Sequence, residues 1–347
     1  MPNILVVFTG GTIGSSLNVK GNIAPSDTKL LIRKYNEEVG QTHNFDILEP
    51  FTVLSENMGI DHWNLLIDTI NQVDESKYDG IIITHGSDTI SYTAAMAGYL
   101  LRHKNCPIVF IASNYILEDE RSNGLENFKS AIDLICDEQI KRGVYVCYKG
   151  QENFVYLATR LCEADHFADE FKSFNKLPLG KICRGKFIIE DSPLNPSLDM
   201  LNSPKEKLPE TQLKSDVAVI KAYPGLDYDR FDITGLKAIL NVGYHSATLC
   251  TNGDKTSFIN FAKRCENMGV DLYISSFKEG EKIYESLDSA VKLSNVYTLS
   301  NISTEAAYAK LIYAYSLNKK DLAKENLYFE IIRKEGNYEE GHTLHTH

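Results

Sequence analysis

The chain has 347 residues, of which 43% are hydrophobic, so it is long and apolar enough to bury a large core. Its 36 Lys and Arg residues are outnumbered by 47 Asp and Glu residues, which gives a formal net charge of -11. This acidic balance, together with the lack of a Lys/Arg cluster, disfavours nucleic acid as a partner. No apolar run approaches the ~20 residues that a membrane span needs. We therefore expect a globular, soluble protein of about two domains, with neither nucleic acid nor a membrane as a partner.

Two features of the sequence indicate the compartment. The N-terminal "MPNILVVF" leads directly into an apolar strand and lacks the basic segment and cleavage site of a secretion signal. The seven cysteines are odd in number, widely scattered and without C-x-x-C spacing, which favours reduced core thiols over disulfides or zinc ligands. We predict a cytoplasmic protein.

Short apolar runs alternate with amphipathic segments through the first part of the chain. The apolar runs predict buried strands at residues 4–8, 80–84, 108–112 and 144–148. The amphipathic segments predict helices at residues 61–70, 91–102 and 123–134. This alternation is typical of α/β proteins with a largely parallel sheet.

The periodic pattern weakens between residues 191 and 215, where prolines and polar residues predict a linker. Beyond it, "VAVIKAY", "LKAILNVGY", "VDLYISS" and "VYTLSN" predict the strands of a second α/β unit. We assign the N-terminal domain to 1–190, the linker to 191–215, the smaller C-terminal domain to 216–330 and a tail to 331–347. The tail contains His342, His345 and His347, which we interpret as part of a frayed end and not as a metal site.

The first predicted strand ends at the motif "TGGTIG", residues 9–14. A phosphate-binding loop is disfavoured, because Thr9 stands where G-x-G-x-x-G has its first glycine and no G-K-[ST] follows. Gly10 and Gly11 instead allow a sharp turn and a close approach to a ligand at the carboxyl end of the strand, where open α/β sheets bind ligands. A hydroxyl placed there, that of Thr12, is a candidate nucleophile; the alternative is that Thr12 caps the following helix.

A second apolar strand ends at "THGSDT", residues 84–89, which places Ser87 beside Asp88. Since the two strands should end at one edge of the sheet, we expect Thr12 to lie near this pair. The pair also suits a cap for the helix predicted from Ser91, and capping and catalysis are compatible. We interpret His85, inside the motif, as a packed and hydrogen-bonded residue and not as a base.

The motifs "TGGTIG" and "HGSDT" together resemble the bacterial-type L-asparaginase family, especially its cytoplasmic branch. Further stretches that match are "LSENM" followed by Trp63, "ERSNG", "KAYPG" and "STEAAYAKL", so the resemblance covers most of the chain. It implies an asparaginase-like α/β fold, with a larger N-terminal parallel-sheet domain and a smaller C-terminal α/β domain.

The resemblance also implies a site and a reaction. Thr12 is the implied nucleophile, Ser87 and Asp88 take part in catalysis with it, and Arg160 stands at the position of the family's catalytic Lys. The residues implied to bind substrate are Ser55, Glu56, Gly11 and Gly86. The implied reaction hydrolyses a small-molecule side-chain amide, Asn to Asp plus ammonia, without a cofactor or a metal. The implied assembly is a homodimer or homotetramer in which the second domain of one subunit closes the neighbour's site.

Three positions depart from the family pattern. Arg160 replaces the Lys, and an arginine does not easily give up its proton because its pKa exceeds about 12, whereas a buried lysine can be tuned toward neutrality. Asn22 stands at the position of a loop Tyr, and Asn301 at that of an Asp before the "TEAA" helix. Three hypotheses follow: an asparaginase-like amidohydrolase, a hydrolase of a different amide, and a non-catalytic binder of an amino acid or a protein on the same fold.

Overall fold

A computed structural model describes residues 1–17, 23–25, 29–277 and 284–333 of the chain. The described residues fall into two compact units, Met1–Glu210 and Thr211–Arg333. The segment predicted as a linker contains a short helix, Leu198–Asn202, which begins after the N-cap hydroxyl of Ser197. The domain limits at residues 190, 215 and 330 stay a prediction.

Uninterrupted apolar runs form the central strands of the first unit. The strands of this unit are β1 Asn3–Phe8, β2 Ser15–Leu17, β3 Ile23–Pro25, β4 Asn44–Leu48, β5 Gly80–Thr84, β6 Pro107–Ile111, β7 Gly143–Lys149, β8 Asn153–Leu157, β9 Gly180–Cys183 and β10 Lys186–Ile189. Both β5 and β6 are buried at every position, as expected of parallel strands covered on both faces.

Within the described residues, eight of these strands form one sheet in the order β10-β9-β8-β7-β6-β5-β1-β4. The strands from β4 to β7 in this order are parallel, whereas β7, β8, β9 and β10 pair antiparallel. The parallel part confirms the α/β prediction. The β9–β10 hairpin was not predicted; it turns through Arg184 and Gly185, whose φ angles of 53° and 74° suit the tight two-residue turn that joins such strands.

Helices of the first unit follow the amphipathic segments. They are α1 Lys29–Val39, α2 Ile60–Gln72, α3 Ile90–Leu100, α4 Gly124–Cys136 and α5 Leu198–Asn202. The sequence prediction for α2, α3 and α4 is confirmed apart from shifts at the ends. Helix α3 is buried at every position except Tyr92, and it packs against β7 and the 3₁₀ turn Ala158–Arg160. The helix therefore fixes the position of the "THGSDT" motif that precedes it.

The second unit is a smaller α/β layer structure. Its elements are β11 Val217–Lys221, β12 Ala238–Val242, α6 Phe258–Asn267, β13 Asp271–Phe277, α7 Glu285–Val291, β14 Val296–Ser300 and α8 Thr304–Ser316. Among the described residues its four strands are parallel, in the order β11-β12-β13-β14. Buried Ile239, Leu272 and Phe258 belong to a hydrophobic core in this unit. The large parallel-dominated sheet and the smaller parallel sheet confirm the predicted fold class.

Candidate active site

The carboxyl ends of β1 and β5 lie side by side. The two strands pair in parallel up to Phe8 and Thr84, and the Thr9 Oγ1 then donates a hydrogen bond to the Thr84 carbonyl oxygen at 2.6 Å. The segments that carry Thr12 and Ser87 therefore leave the sheet from adjacent positions, at the edge where open α/β sheets bind ligands.

Three glycines line this edge, and we call Gly10, Gly11 and Gly86 the glycine cradle. Gly10 has a φ of 109°, and a Cβ there would lie 2.1 Å from the Val53 carbonyl oxygen. Gly11 has a φ of 79°, and a Cβ there would lie 2.5 Å from the Gly86 nitrogen. At Gly86 the added Cβ would lie 2.4 Å from the Ser55 side chain. Only glycine allows three chain segments to approach one another this closely.

The third segment of the edge is the 3₁₀ turn Ser55–Asn57. Ser55 is buried, its Oγ donates to Asp88 Oδ2 at 2.8 Å, and its carbonyl oxygen accepts from Thr89 Oγ1 at 2.9 Å. Glu56, the next residue, is exposed, as is Asp88. These bonds join the Ser55 turn to the second motif and leave two carboxylates facing solvent.

Thr12 is the first residue of the 3₁₀ turn Thr12–Gly14 and is half-buried. The N-cap position of this turn is held by Gly11, with no side-chain capping bond, so Thr12 does not cap it. The Ser15 Oγ donates to the Gly11 carbonyl oxygen at 2.8 Å and braces the turn from its other end. The structure therefore does not support the alternative in which Thr12 caps this turn.

Neither Ser87 nor Asp88 caps α3. Thr89 holds the N-cap position of that helix, and no side chain makes a capping bond there. Its hydroxyl donates instead to the Ser55 carbonyl oxygen. Ser87 is half-buried in the turn before the helix. Sequence reasoning assigned no role to Thr89, although the hydroxyl directly after the Ser-Asp pair in "GSDT" was a signal for it.

His85 is completely buried at the end of β5. Its Nδ1 lies 2.8 Å from the Gly86 carbonyl oxygen, and its ring lies 6.3 Å from that of Phe110. Burial lowers its pKa to about 4, against smaller opposing effects of the Gly86 bond and the Asp88 charge. The imidazole is therefore neutral near pH 7, which agrees with its interpretation as a packed, hydrogen-bonded residue.

Arg160 ends the 3₁₀ turn Ala158–Arg160 that follows β8, and its side chain is only 1% exposed. Its Nη1 donates to the Leu194 carbonyl oxygen at 2.6 Å and lies 3.4 Å from Asn195 Oδ1. The guanidinium is thus bound to a segment that the sequence predicted to be a linker. Its catalytic role beside Ser87 stays a prediction.

Some of the singled-out residues lie elsewhere. Asn22 and the histidines of the tail lie outside the described residues. Asn301, in the second unit, has a φ of 53°, a left-handed conformation that Asn adopts more readily than most residues. In the part of the chain that the structure describes, no group of three or more His, Cys, Asp or Glu side chains has the arrangement of a metal site. No helix of the described residues is long and apolar enough to cross a membrane.

Comparisons with known proteins identify the family. The family model described as "Asparaginase, N-terminal" matches residues 3–195. A subunit of the glutamyl-tRNA(Gln) amidotransferase of Methanosphaera stadtmanae is 27% identical over 335 residues, which cover 90% of this chain and 72% of that protein. The thermostable L-asparaginase from Thermococcus kodakarensis superimposes with a TM-score of 0.79 at 19% identity, covering 96% of this chain and 100% of its own.

L-asparaginase I from Vibrio cholerae O1 biovar eltor has the same architecture, with a TM-score of 0.76, 22% identity, and coverage of 96% of this chain and 99% of its own. At these identities the two structures establish the fold, and the family model establishes the relationship. Since that model spans more than half of the chain, this protein belongs to the asparaginase family and is a hydrolase that acts on amides.

Proposed function

We propose that the chain hydrolyses the side-chain amide of a small molecule, converting Asn to Asp and ammonia, with Thr12 as the nucleophile. The glycine cradle carries this proposal. It brings the turn that starts at Thr12 against the segment of Gly86, and the segment of Gly86 against Ser55 and its partner Asp88. These contacts support the proposal that this edge of the sheet supplies a nucleophile, main-chain donors and a carboxylate.

The proposed chemistry has two stages. The Thr12 Oγ bonds to the amide carbon while main-chain N–H groups beside the glycine cradle, that of Ser87 among them, donate to the developing oxyanion. The C–N bond then breaks, the hydroxyl proton reaches the leaving nitrogen by way of Ser87, and ammonia departs from an ester on Thr12. Water adds to the ester carbon, the Thr12 oxygen leaves with a proton, and the carboxylic acid is released.

Substrate recognition falls to Ser55, Glu56 and Asp88. The exposed Asp88 carboxylate suits the α-ammonium group of an amino acid, and exposed Glu56 adds a second negative charge beside it. When the ammonium group takes the place of the Ser55 hydroxyl on Asp88, that hydroxyl rotates and donates to the α-carboxylate. The bond between Ser55 and Asp88 supports this exchange, because it places the two groups within one substrate's reach.

A second candidate function is hydrolysis of a different amide. It is supported by Arg160, which cannot serve as a proton acceptor near neutral pH, and by relatives that are named as subunits of glutamyl-tRNA(Gln) amidotransferase. In this candidate Arg160 supplies a fixed positive charge, and the chain delivers ammonia within a larger assembly. The net charge of -11 favours contact with tRNA through another subunit and not through this one.

Ammonia release from a panel of Asn, Gln, Asn-containing peptides and N-acylated amides tests both candidates. We expect the wild type to cleave at least one amide and Thr12→Ala to lower its rate by roughly 10³-fold or more, since the nucleophile is lost. Thr12→Ser keeps the hydroxyl and should retain part of the activity. Thr69→Ala, which removes a hydroxyl in α2, is the matched control and should behave as wild type.

The pattern across the panel separates the hypotheses. Release from free Asn supports the asparaginase reaction, and release confined to another amide supports the second candidate. Equal background release by wild type and Thr12→Ala from every compound would contradict both and would favour a non-catalytic binder.

We further propose a cytoplasmic location and a homodimer or homotetramer. The cysteines support the location, since none of the seven forms a disulfide and all lie in described residues. The assembly is supported by the family relationship.

A further inference from the structure

His85 is bonded to the residue that directly follows it. Its main-chain N–H donates to the Ile111 carbonyl oxygen at 2.8 Å, which fixes the backbone at the end of β5. Its Nδ1 lies 2.8 Å from the Gly86 carbonyl oxygen. A carbonyl oxygen can only accept, so Nδ1 carries the proton of the neutral ring and Nε2 does not. The Nε2 atom is buried and has no hydrogen-bond partner among the described residues.

The bond from Nδ1 fixes the orientation of the peptide between Gly86 and Ser87. Peptide bonds in the described residues are trans, so the C=O and N–H of this peptide point in opposite directions. With the carbonyl held by the imidazole, the Ser87 N–H points away from the buried ring. Glycine has little intrinsic preference for one backbone conformation, so at Gly86 the imidazole supplies a restraint that a side chain would otherwise provide.

The preceding peptide, between His85 and Gly86, borders the nucleophile's turn. A Cβ at Gly11 would lie 2.5 Å from the Gly86 nitrogen and 2.6 Å from the His85 carbonyl oxygen, so Gly11 rests directly on this stretch of backbone. The two peptides meet at the Gly86 Cα, so a change of the Gly86 backbone angles moves one against the other and disturbs the Ser87 side of the site or the segment that leads to Thr12.

We propose that His85 is a positioning residue of the proposed amide hydrolysis: its Nδ1–H holds the Gly86 carbonyl and so presents the main-chain N–H and the hydroxyl of Ser87 to the substrate. His85 does not touch the substrate in this arrangement. His85 orients groups that stabilise the charge of the transition state. The loss of the imidazole therefore lowers kcat more than it raises KM.

Three variants of His85 separate this role from packing. In His85→Asn the amide nitrogen occupies the place of Nδ1 and can donate to the Gly86 carbonyl oxygen. His85→Leu has nearly the shape of Asn without a donor, and His85→Gln carries its amide at the position of Nε2. We expect His85→Asn to keep kcat within roughly 5-fold of wild type. In the other two variants kcat should fall by roughly 10²-fold, which is the effect of losing one hydrogen-bond donor to the oxyanion. KM should change by less than about threefold in all three.

Thermal unfolding of each variant ensures that rates are compared where the proteins are folded. A merely structural role would lower kcat to the same extent in His85→Asn and His85→Leu, in step with their loss of stability. That result would overturn the proposal, and so would a rise in KM with unchanged kcat in His85→Leu.

The tautomer can be measured without any activity. In ¹⁵N-labelled wild type, NMR should show His85 as the Nδ1–H tautomer, and an Nε2–H tautomer would overturn the proposal. If the wild type cleaves no amide, the proposed function fails, whereas the tautomer still decides whether His85 holds the Gly86 carbonyl.

Discussion

Gly86 lies so close to Ser55 that a Cβ at residue 86 would fall 2.4 Å from both the Cβ and the Oγ of that serine. We expect Gly86→Ala to displace Ser55 and to break its bond to Asp88, lowering kcat/KM by roughly 10²-fold, since a misplacement of about 1 Å has effects of that size. KM should rise, because these residues are proposed to hold the substrate. Ammonia release at a series of substrate concentrations measures both quantities.

Gly14→Ala is the matched control, since no atom of the described residues lies within 4 Å of a Cβ at this glycine. It stands in the same turn as Thr12, and its φ is not in the left-handed region. We expect its kcat/KM to stay close to that of wild type. Similar losses in the two variants would show that the close approach of Gly86 to Ser55 is not what organises the site.

Sequence reasoning located Thr12, Ser87 and Asp88 because each follows an apolar strand that could only be buried, and parallel strands end at one edge. Ser55 follows no such strand and was identified only through the family resemblance. The need for glycine at residue 86 could not be predicted, because it depends on a contact with a turn that is distant in the sequence. The catalytic and binding roles of these residues stay predictions.

Helix α8 is joined to the end of the second unit by an ion pair that is fully buried. Lys310 Nζ pairs with Glu330 at 2.5 Å and donates to the Glu325 carbonyl oxygen at 2.6 Å. The Glu330 carboxylate also accepts main-chain bonds from Leu327 and Tyr328, so it closes a tight loop. We expect Lys310→Met to lower the free energy of unfolding by about 3–5 kcal/mol, because it leaves a buried carboxylate without its counter-ion.

Urea unfolding followed by circular dichroism measures this loss. Adding Glu330→Gln to Lys310→Met removes the uncompensated charge and should recover part of the stability. Lys292→Met breaks the exposed pair with Asp288 in the same unit and should cost less than about 1 kcal/mol. Equal effects of Lys310→Met and Lys292→Met would mean that the buried pair adds nothing beyond a surface pair.

Elements with a strong pattern were predictable, and elements defined by their neighbours were not. Strands β1, β5, β6 and β7 consist mainly of apolar runs, which are stable in water only when they are buried in a core. Strand β4 alternates between exposed and half-buried residues at the edge of the sheet, so its apolar signal is weak. The β9–β10 hairpin turns at Arg184 in a left-handed conformation, for which the residue type gives no signal.

At the scale of the molecule, the division into two units was foreseeable from the loss of periodicity after residue 190. The packing of the segment after residue 190 was not foreseeable, because Leu201, Leu208 and Leu213 of the predicted linker are buried. A polar, proline-containing segment can still place single leucines against a folded unit, and spacing alone does not show which of them will be covered.

The proposed homodimer or homotetramer is tested by light scattering. We expect a mass of at least twice that of the 39.0 kDa chain at micromolar concentration. Dilution toward nanomolar concentration should lower activity if a neighbouring subunit completes the site, whereas Thr12→Ala should keep the same mass. A strictly monomeric species with full activity would contradict both the assembly and the shared site.

The chain has a single tryptophan, and it sits between the two segments that hold the Ser55–Asp88 bond. Trp63 is buried in α2, which follows the Ser55 turn, and its Nε1 donates at 2.9 Å to Thr93 in α3, which follows Asp88. Any ligand that draws these segments together or apart changes the surroundings of the only indole. The protein therefore carries an intrinsic fluorescent reporter, with which compounds can be titrated against Thr12→Ala even when nothing is turned over.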